Sequence, residues 1–171
     1  MHLRPATPAD QAFLKAVYAS TRAEELALLS HWGEDALQAF VELQQQAQNS
    51  FYRQQYPQAE LSIIVCDGQA VGRLWLARLA SELRLLDLSL LPTWRGRGLG
   101  GQCLRHLQAQ ASRLGQGLSL HVEINNRAQR LYQALGFEVQ GQQGLHLQMM
   151  WRPAATPDPK VCERQAHHEQ A

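Results

Sequence analysis

Apolar positions recur in two rhythms along the chain. After a short strand expected over 2–6, Phe13, Leu14, Val17 and Tyr18 fall three and four residues apart behind Thr7-Pro8-Ala9-Asp10. Thr7 can cap, Pro8 suits the first helical position and Asp10 adds an acid to the first turn, so a helix is predicted there. A second helical stretch is predicted near 22–29, interrupted by His31-Trp32-Gly33. A third starts near Glu34, with Ala36, Leu37, Phe40, Val41 and Ala47 placed on one face. Residues 49–58, with Phe51, Tyr52, Tyr56 and Pro57, read as an irregular connection.

From Leu61 the period drops to two. Runs at 61–66 and 70–78 flank Asp67-Gly68, a strong hairpin signal. A third strand is expected from Leu83 to Leu91, with Leu83, Leu85, Asp87 and Ser89 on one face and Leu86, Leu88 and Leu90 on the other. A Gly-rich turn at 95–101 opens a helix to about Leu114, striped by Leu99, Cys103, Leu104, Leu107, Ala111 and Leu114. A strand at 118–124, a helix at 126–135 ended by Gly136, and strands near 137–141 and 145–151 complete the pattern. It describes one α+β domain with a mixed sheet over 1–152, and a polar tail over 153–171.

Composition narrows the function classes. The chain has 171 residues, 45% of them apolar, too many for a disordered protein. Lys+Arg is 16 and Asp+Glu is 15, for a net charge of +1, which lacks the positive field of a nucleic-acid binder. Leu (27) and Gln (22) are abundant, so Gln takes over surface that charge would otherwise occupy. No run approaches the ~20 apolar residues of a membrane span. Cys66, Cys103 and Cys162 form no C-x-x-C pair, and His121, Glu123 and the terminal His167-His168-Glu169 lack a third ligand at sensible spacing. No metal and a cytoplasmic location are the expectations.

The chemically informative segment is Leu91-Pro92-Thr93-Trp94-Arg95-Gly96-Arg97-Gly98-Leu99-Gly100-Gly101. It leaves a strand, turns and opens a helix. Glycines let backbone approach a ligand, and free N–H groups at a helix start attract an anion. Arg95 and Arg97 add charge, so a phosphate or pyrophosphate ligand is expected. Gly96-x-Gly98-x-x-Gly101 also fits a dinucleotide fingerprint, with Glu123 about 20 residues further on. A P-loop is excluded, because Gln102-Cys103 stand where Lys-Ser/Thr is required.

Arg95-x-x-Gly98-x-Gly100 resembles the R/Q-x-x-G-x-G/A signature of the GCN5-related N-acetyltransferases (GNAT). Leu88-Ser89-Leu90-Leu91-Pro92 is similar to that family's fourth strand, and Asn125-x-x-Ala128-x-x-Leu131-Tyr132-x-x-x-Gly136-Phe137 to its second block. The resemblance covers about 1–151. It implies a mostly antiparallel sheet with a splayed fourth and fifth strand, helices on both faces, and acetyl-CoA as co-substrate for an amine acceptor. The pyrophosphate would lie on the amides of Arg95, Gly96, Arg97, Gly98, Leu99, Gly100 and Gly101. The pantetheine arm would pair with Leu88, Ser89 and Leu90 and be held by Asn125, or by Asn126 one residue on. Tyr132 would protonate the departing thiolate. Asp87 is the first candidate for the base, with Glu82, His121 and Glu123 behind it, since an amine must lose a proton before attack.

Acceptor contacts are expected from 18–58, with Glu25 and Trp32 foremost beside Tyr18, Arg22, Glu24, Phe51, Tyr52 and Tyr56. A monomer or homodimer is expected. The alternatives are a non-catalytic acyl-CoA-binding module and a dinucleotide-dependent oxidoreductase.

Overall fold

The computed structural model describes residues 1–154. Cys162, His167, His168, Glu169 and most of the expected tail therefore lie outside the described residues. The strands are β1 (His2–Pro5), β2 (Glu60–Cys66), β3 (Gln69–Arg78), β4 (Glu82–Leu90), β5 (Gly117–Glu123), β6 (Glu138–Gln143) and β7 (His146–Trp151). The helices are α1 (Gln11–Thr21), α2 (Ala23–Leu28), α3 (Glu34–Gln55), α4 (Leu99–Arg113) and α5 (Gln129–Ala134). One seven-stranded sheet runs β1-β2-β3-β4-β5-β7-β6, antiparallel except between β4 and β5. It is the mixed α+β architecture expected from the sequence.

Local chemistry explains the boundaries. Thr7 and Asp10 close the entry to α1: the Thr7 N–H donates to Asp10 Oδ2 at 2.8 Å, and Arg4 clamps both carboxylate oxygens at 2.7 and 2.8 Å. Asp67 and Gly68 turn the β2–β3 hairpin with φ of 50° and 75°, the left-handed pair that a tight hairpin needs. The α4 stripe packs on one sheet face with Leu83, Leu85, Leu118, Leu120 and Phe137, the largest core cluster. Leu114, expected in that stripe, is 53% exposed, because the helix has already ended at Arg113.

Two expectations fail for physical reasons. Residues 49–55 continue α3 rather than forming a connection: Val41, Gln45, Gln48 and Tyr52 lie at helical spacing on its inner side. Tyr52 sets its ring against Trp75 at 5.6 Å, which holds the last turns down. Ala36 and Ala47 are exposed on the outer side, not on the face of Val41.

Strict alternation also fails in β4. Trp75 pairs with Asp87 but Leu76 pairs with Leu85, so Leu86 is an extra residue, a β-bulge. Leu83 and Leu85 before it, and Leu88 and Leu90 after it, all pack toward the α4 cluster. Asp87 and Ser89 do not share a face with Leu83 and Leu85. They point to the opposite side, with Arg73.

Candidate active site

The bulge coincides with the end of β4–β5 pairing, which spans only Glu82–Leu85 against Gly117–Leu120. Beyond it the two strands part, and β4 stays paired with β3 through Leu90. The Leu91 N–H donates to Val71 O at 2.9 Å, so alternate residues 88 and 90 turn their amide groups toward the gap. The Leu86 carbonyl accepts from the Tyr52 hydroxyl at 3.2 Å and that of Leu90 from Arg95 Nε at 2.9 Å. Among the described residues, the Leu88 backbone between them has no such side-chain partner.

The gap is one wall of a cleft of about 850 Å³, whose lining includes Leu88, Ser89, Leu90, Gly100, Leu131 and Tyr132. At its end lies the Gly-rich turn. Gly96 and Gly98 have φ of 71° and 79°, conformations that favour glycine, and an added Cβ at either would meet nothing within 4 Å. The chain's own packing therefore leaves room above the turn. Gln102 is the first residue of α4 to donate within it, to Gly98 O at 3.0 Å, so the Leu99, Gly100 and Gly101 amides remain as helix-start donors. The Leu99 side chain is 5% exposed and belongs to the core, so only its amide can serve a ligand.

The two arginines of the turn hold the protein together. Arg95 links Leu90 O to Ser20, reaching Ser20 Oγ at 3.1 Å, and so ties the turn to the end of α1. Arg97 stacks on Trp94, 4.9 Å from the ring centroid. Neither guanidinium has a carboxylate partner among the described residues, so their charge adds to that of the amides and the helix dipole.

Tyr132 lines the cleft from α5, its ring edge-to-face with Phe137 at 5.8 Å. Burial, with the Asp87 charge second, pushes its hydroxyl above the usual tyrosine range, so it keeps its proton at neutral pH. Asn126 lines the cleft, whereas Asn125 lines only a neighbouring hollow with Arg127 and Gln133. Of the two asparagines, the second has the position facing the gap.

Asp87 also lines the cleft, but its oxygens are occupied. Arg73 Nε donates to Oδ2 at 2.8 Å, and Ser89 Oγ donates at 3.0 and 3.2 Å. Arg73 itself is 1% exposed, donates to Gln48 Oε1 at 2.8 Å and lies over the Tyr18 ring. A lone arginine in the apolar run Gly72-Arg73-Leu74-Trp75-Leu76 was the available sequence signal for this partner. Glu123 lines the cleft at the end of β5, and its carboxylate has no hydrogen-bond partner among the described residues. Glu82 is bound to Arg84 and Ser119. Burial and nearby Arg84 lower the pKa of His121, which does not line the cleft.

The expected acceptor residues separate. Glu24 and Glu25 line the cleft, Glu25 within 3.8 Å of Arg22. Trp32 does not; it packs edge-to-face on Phe40 at 5.6 Å, on the outer side.

Residues 57–139 match the family model described as an acetyltransferase (GNAT) domain. No curated protein matches the chain. Among solved structures, it resembles the PaiA N-acetyltransferase of Thermoplasma acidophilum in complex with coenzyme A, at 18% identity and TM-score 0.66 over 89% of this chain and 98% of that one. An acetyltransferase of Thermus thermophilus shares 22% identity at TM-score 0.62, over 89% and 96% of the two chains. The aminoglycoside 6'-N-acetyltransferase of Enterococcus faecium shares 14% at TM-score 0.58, over 92% and 100%. Residues 57–139 thus match a GNAT acetyltransferase domain, and the chain as a whole shares its fold with these solved acetyltransferases.

Proposed function

We propose that this protein transfers the acetyl group of acetyl-CoA to a primary amine by direct attack. One observation carries the reading: the strands part at the bulge, so the Leu88 backbone faces a cleft with the donor-rich 96–101 turn at one end and Tyr132 on its wall. The turn's free amides and the open space above Gly96 and Gly98 suit a pyrophosphate. Leu88, between two carbonyls already engaged, suits an amide-bearing arm running parallel to the strand, and Asn126 is placed to hold that arm.

Tyr132, kept protonated by its burial, donates its proton to the departing sulfur. Asp87 is fixed by Arg73 and Ser89, with few lone pairs left to take a proton. It therefore acts through its charge, holding the incoming ammonium in line, while Glu123 accepts the proton. Glu24 and Glu25 on the facing helix favour a cationic acceptor entering from the α1–α2 side.

Calorimetry with CoA, followed by thiol release from acetyl-CoA in the presence of an amine panel, tests the reading. Gly98→Asp, which sets a carboxylate over the turn, should abolish CoA binding while leaving the circular dichroism spectrum unchanged. A folded Gly98→Asp that binds CoA normally would overturn the placement, and binding without turnover of any amine would favour a non-catalytic CoA-binding module.

A further inference from the structure

The helix α3 carries apolar side chains on two opposite sides. Its inner side packs on the sheet through Val41, Gln45 and Tyr52, yet Leu43 is 67% and Phe51 56% exposed on the opposite side. Ala39, Leu43, Ala47 and Phe51, spaced four apart, follow one another along one side of a helix of 22 residues, a continuous seam beside the Trp32–Phe40 pair. Among the described residues nothing covers the exposed members of that seam.

The seam fits a second copy of itself. Run antiparallel about the point between Leu43 and Ala47, it sets Leu43 against the other copy's Ala47 and Phe51 against Ala39. Each large side chain meets a small one, and the two-fold makes every such pair occur twice. The charges agree with the same orientation. The first turn of α3 carries Glu34 and Asp35 and the last carries Arg53, so antiparallel pairing brings acidic and basic ends together. A parallel pair would place large on large and like charge on like.

We infer that the outer face of α3 is the contact through which two copies of this chain form a symmetric, antiparallel helix-paired dimer. The helix is about 33 Å long, and a single helix face is at the small end of specific interfaces, so the dimer forms reversibly with concentration. This rests on the seam alone and is independent of the proposed chemistry.

Sedimentation velocity across a wide concentration range tests it. The wild-type chain should approach twice its 19.3 kDa mass as concentration rises. Leu43→Glu and Ala47→Arg, both at exposed sites, should each stay monomeric with an unchanged melting temperature. Mixed together they should associate. The carboxylate introduced in the first variant then faces the guanidinium introduced in the second, while the native Ala47 of the first still meets the native Leu43 of the second. A wild-type chain that stays monomeric throughout overturns the inference and leaves the seam to a different protein. A dimer that survives Leu43→Glu, or a mixture that does not associate, overturns the antiparallel register.

Discussion

Neutralising Asp87 should damage the fold before it says anything about catalysis. Arg73 is 1% exposed, and its two side-chain acceptors, Asp87 Oδ2 and Gln48 Oε1, both lie at 2.8 Å. Asp87→Asn keeps the shape and one acceptor but removes the negative charge that the guanidinium binds. Removing one partner of a buried pair costs about 3–5 kcal/mol. The Asp87 side chain is 18% exposed, so water offsets part of the loss and the lower end, about 3 kcal/mol, applies. For a chain of this size each kcal/mol lowers Tm by about 2–4 °C, so Tm should fall by roughly 6–12 °C. Arg73→Met should cost a similar amount. The double variant Arg73→Met/Asp87→Asn leaves no orphaned charge and should melt above either single variant, a coupling that a thermal double-mutant cycle reads directly. An Asp87→Asn protein within about 2 °C of wild type, or strictly additive losses, would refute the buried-pair argument. If Asp87 positions the ammonium, its loss should raise the acceptor KM at every pH; a displaced acidic limb of the kcat profile would make it the base instead.

Tyr132→Phe should lower kcat by about 10²–10⁴ with CoA affinity retained, as a steady-state and calorimetric comparison would show. Glu123→Gln should remove the acidic limb of the kcat–pH profile, and an unchanged limb would exclude Glu123 as base. Burial, helped by Asp87, pushes Tyr52 up to about 12. A folded pKa above the unfolded value of about 10 gives stability that is complete below pH ~10 and lost as the pH rises toward 12, so Tyr52→Phe should show a flatter decline in Tm over that window. Gly72→Ala should destabilise the fold by about 1–3 kcal/mol in urea titration, because its Cβ would press on the Ser89 carbonyl and the Leu90 side chain.

The element order was legible because most segments keep one period from end to end. The α4 stripe, the Asp67-Gly68 hairpin and the Gly-ended α5 each join local propensity to a matching hydrophobic rhythm. The Gly-rich turn was legible as an anion site for the same reason. What stayed hidden depends on partners far away in sequence. That Arg95 would brace Ser20, that Arg73 would occupy Asp87, and that Asn126 rather than Asn125 would face the cleft are outcomes of tertiary packing. The end of α3 was obscured because Phe51 and Tyr52 look like a loop's aromatic cluster. In the helix one of them faces solvent and the other faces Trp75.

The extra residue at Leu86 makes the parity of β4 a constraint on any change to the chain. Upstream of it, odd-numbered side chains enter the α4 core; downstream, even-numbered ones do. Deleting Leu86 sets Leu85 and Asp87 side by side opposite Leu76 and Trp75, so both halves keep their faces and only the bulge is lost. Straightening the strand with every residue kept has the opposite result: the downstream half turns over, the Asp87 carboxylate faces leucines, and Leu88 and Leu90 take its place beside the Arg73 guanidinium. The same arithmetic makes the bulge a checkpoint for grafting this cleft onto another sheet: the recipient strand must be out of phase with itself, by one residue, at the place where its neighbour departs.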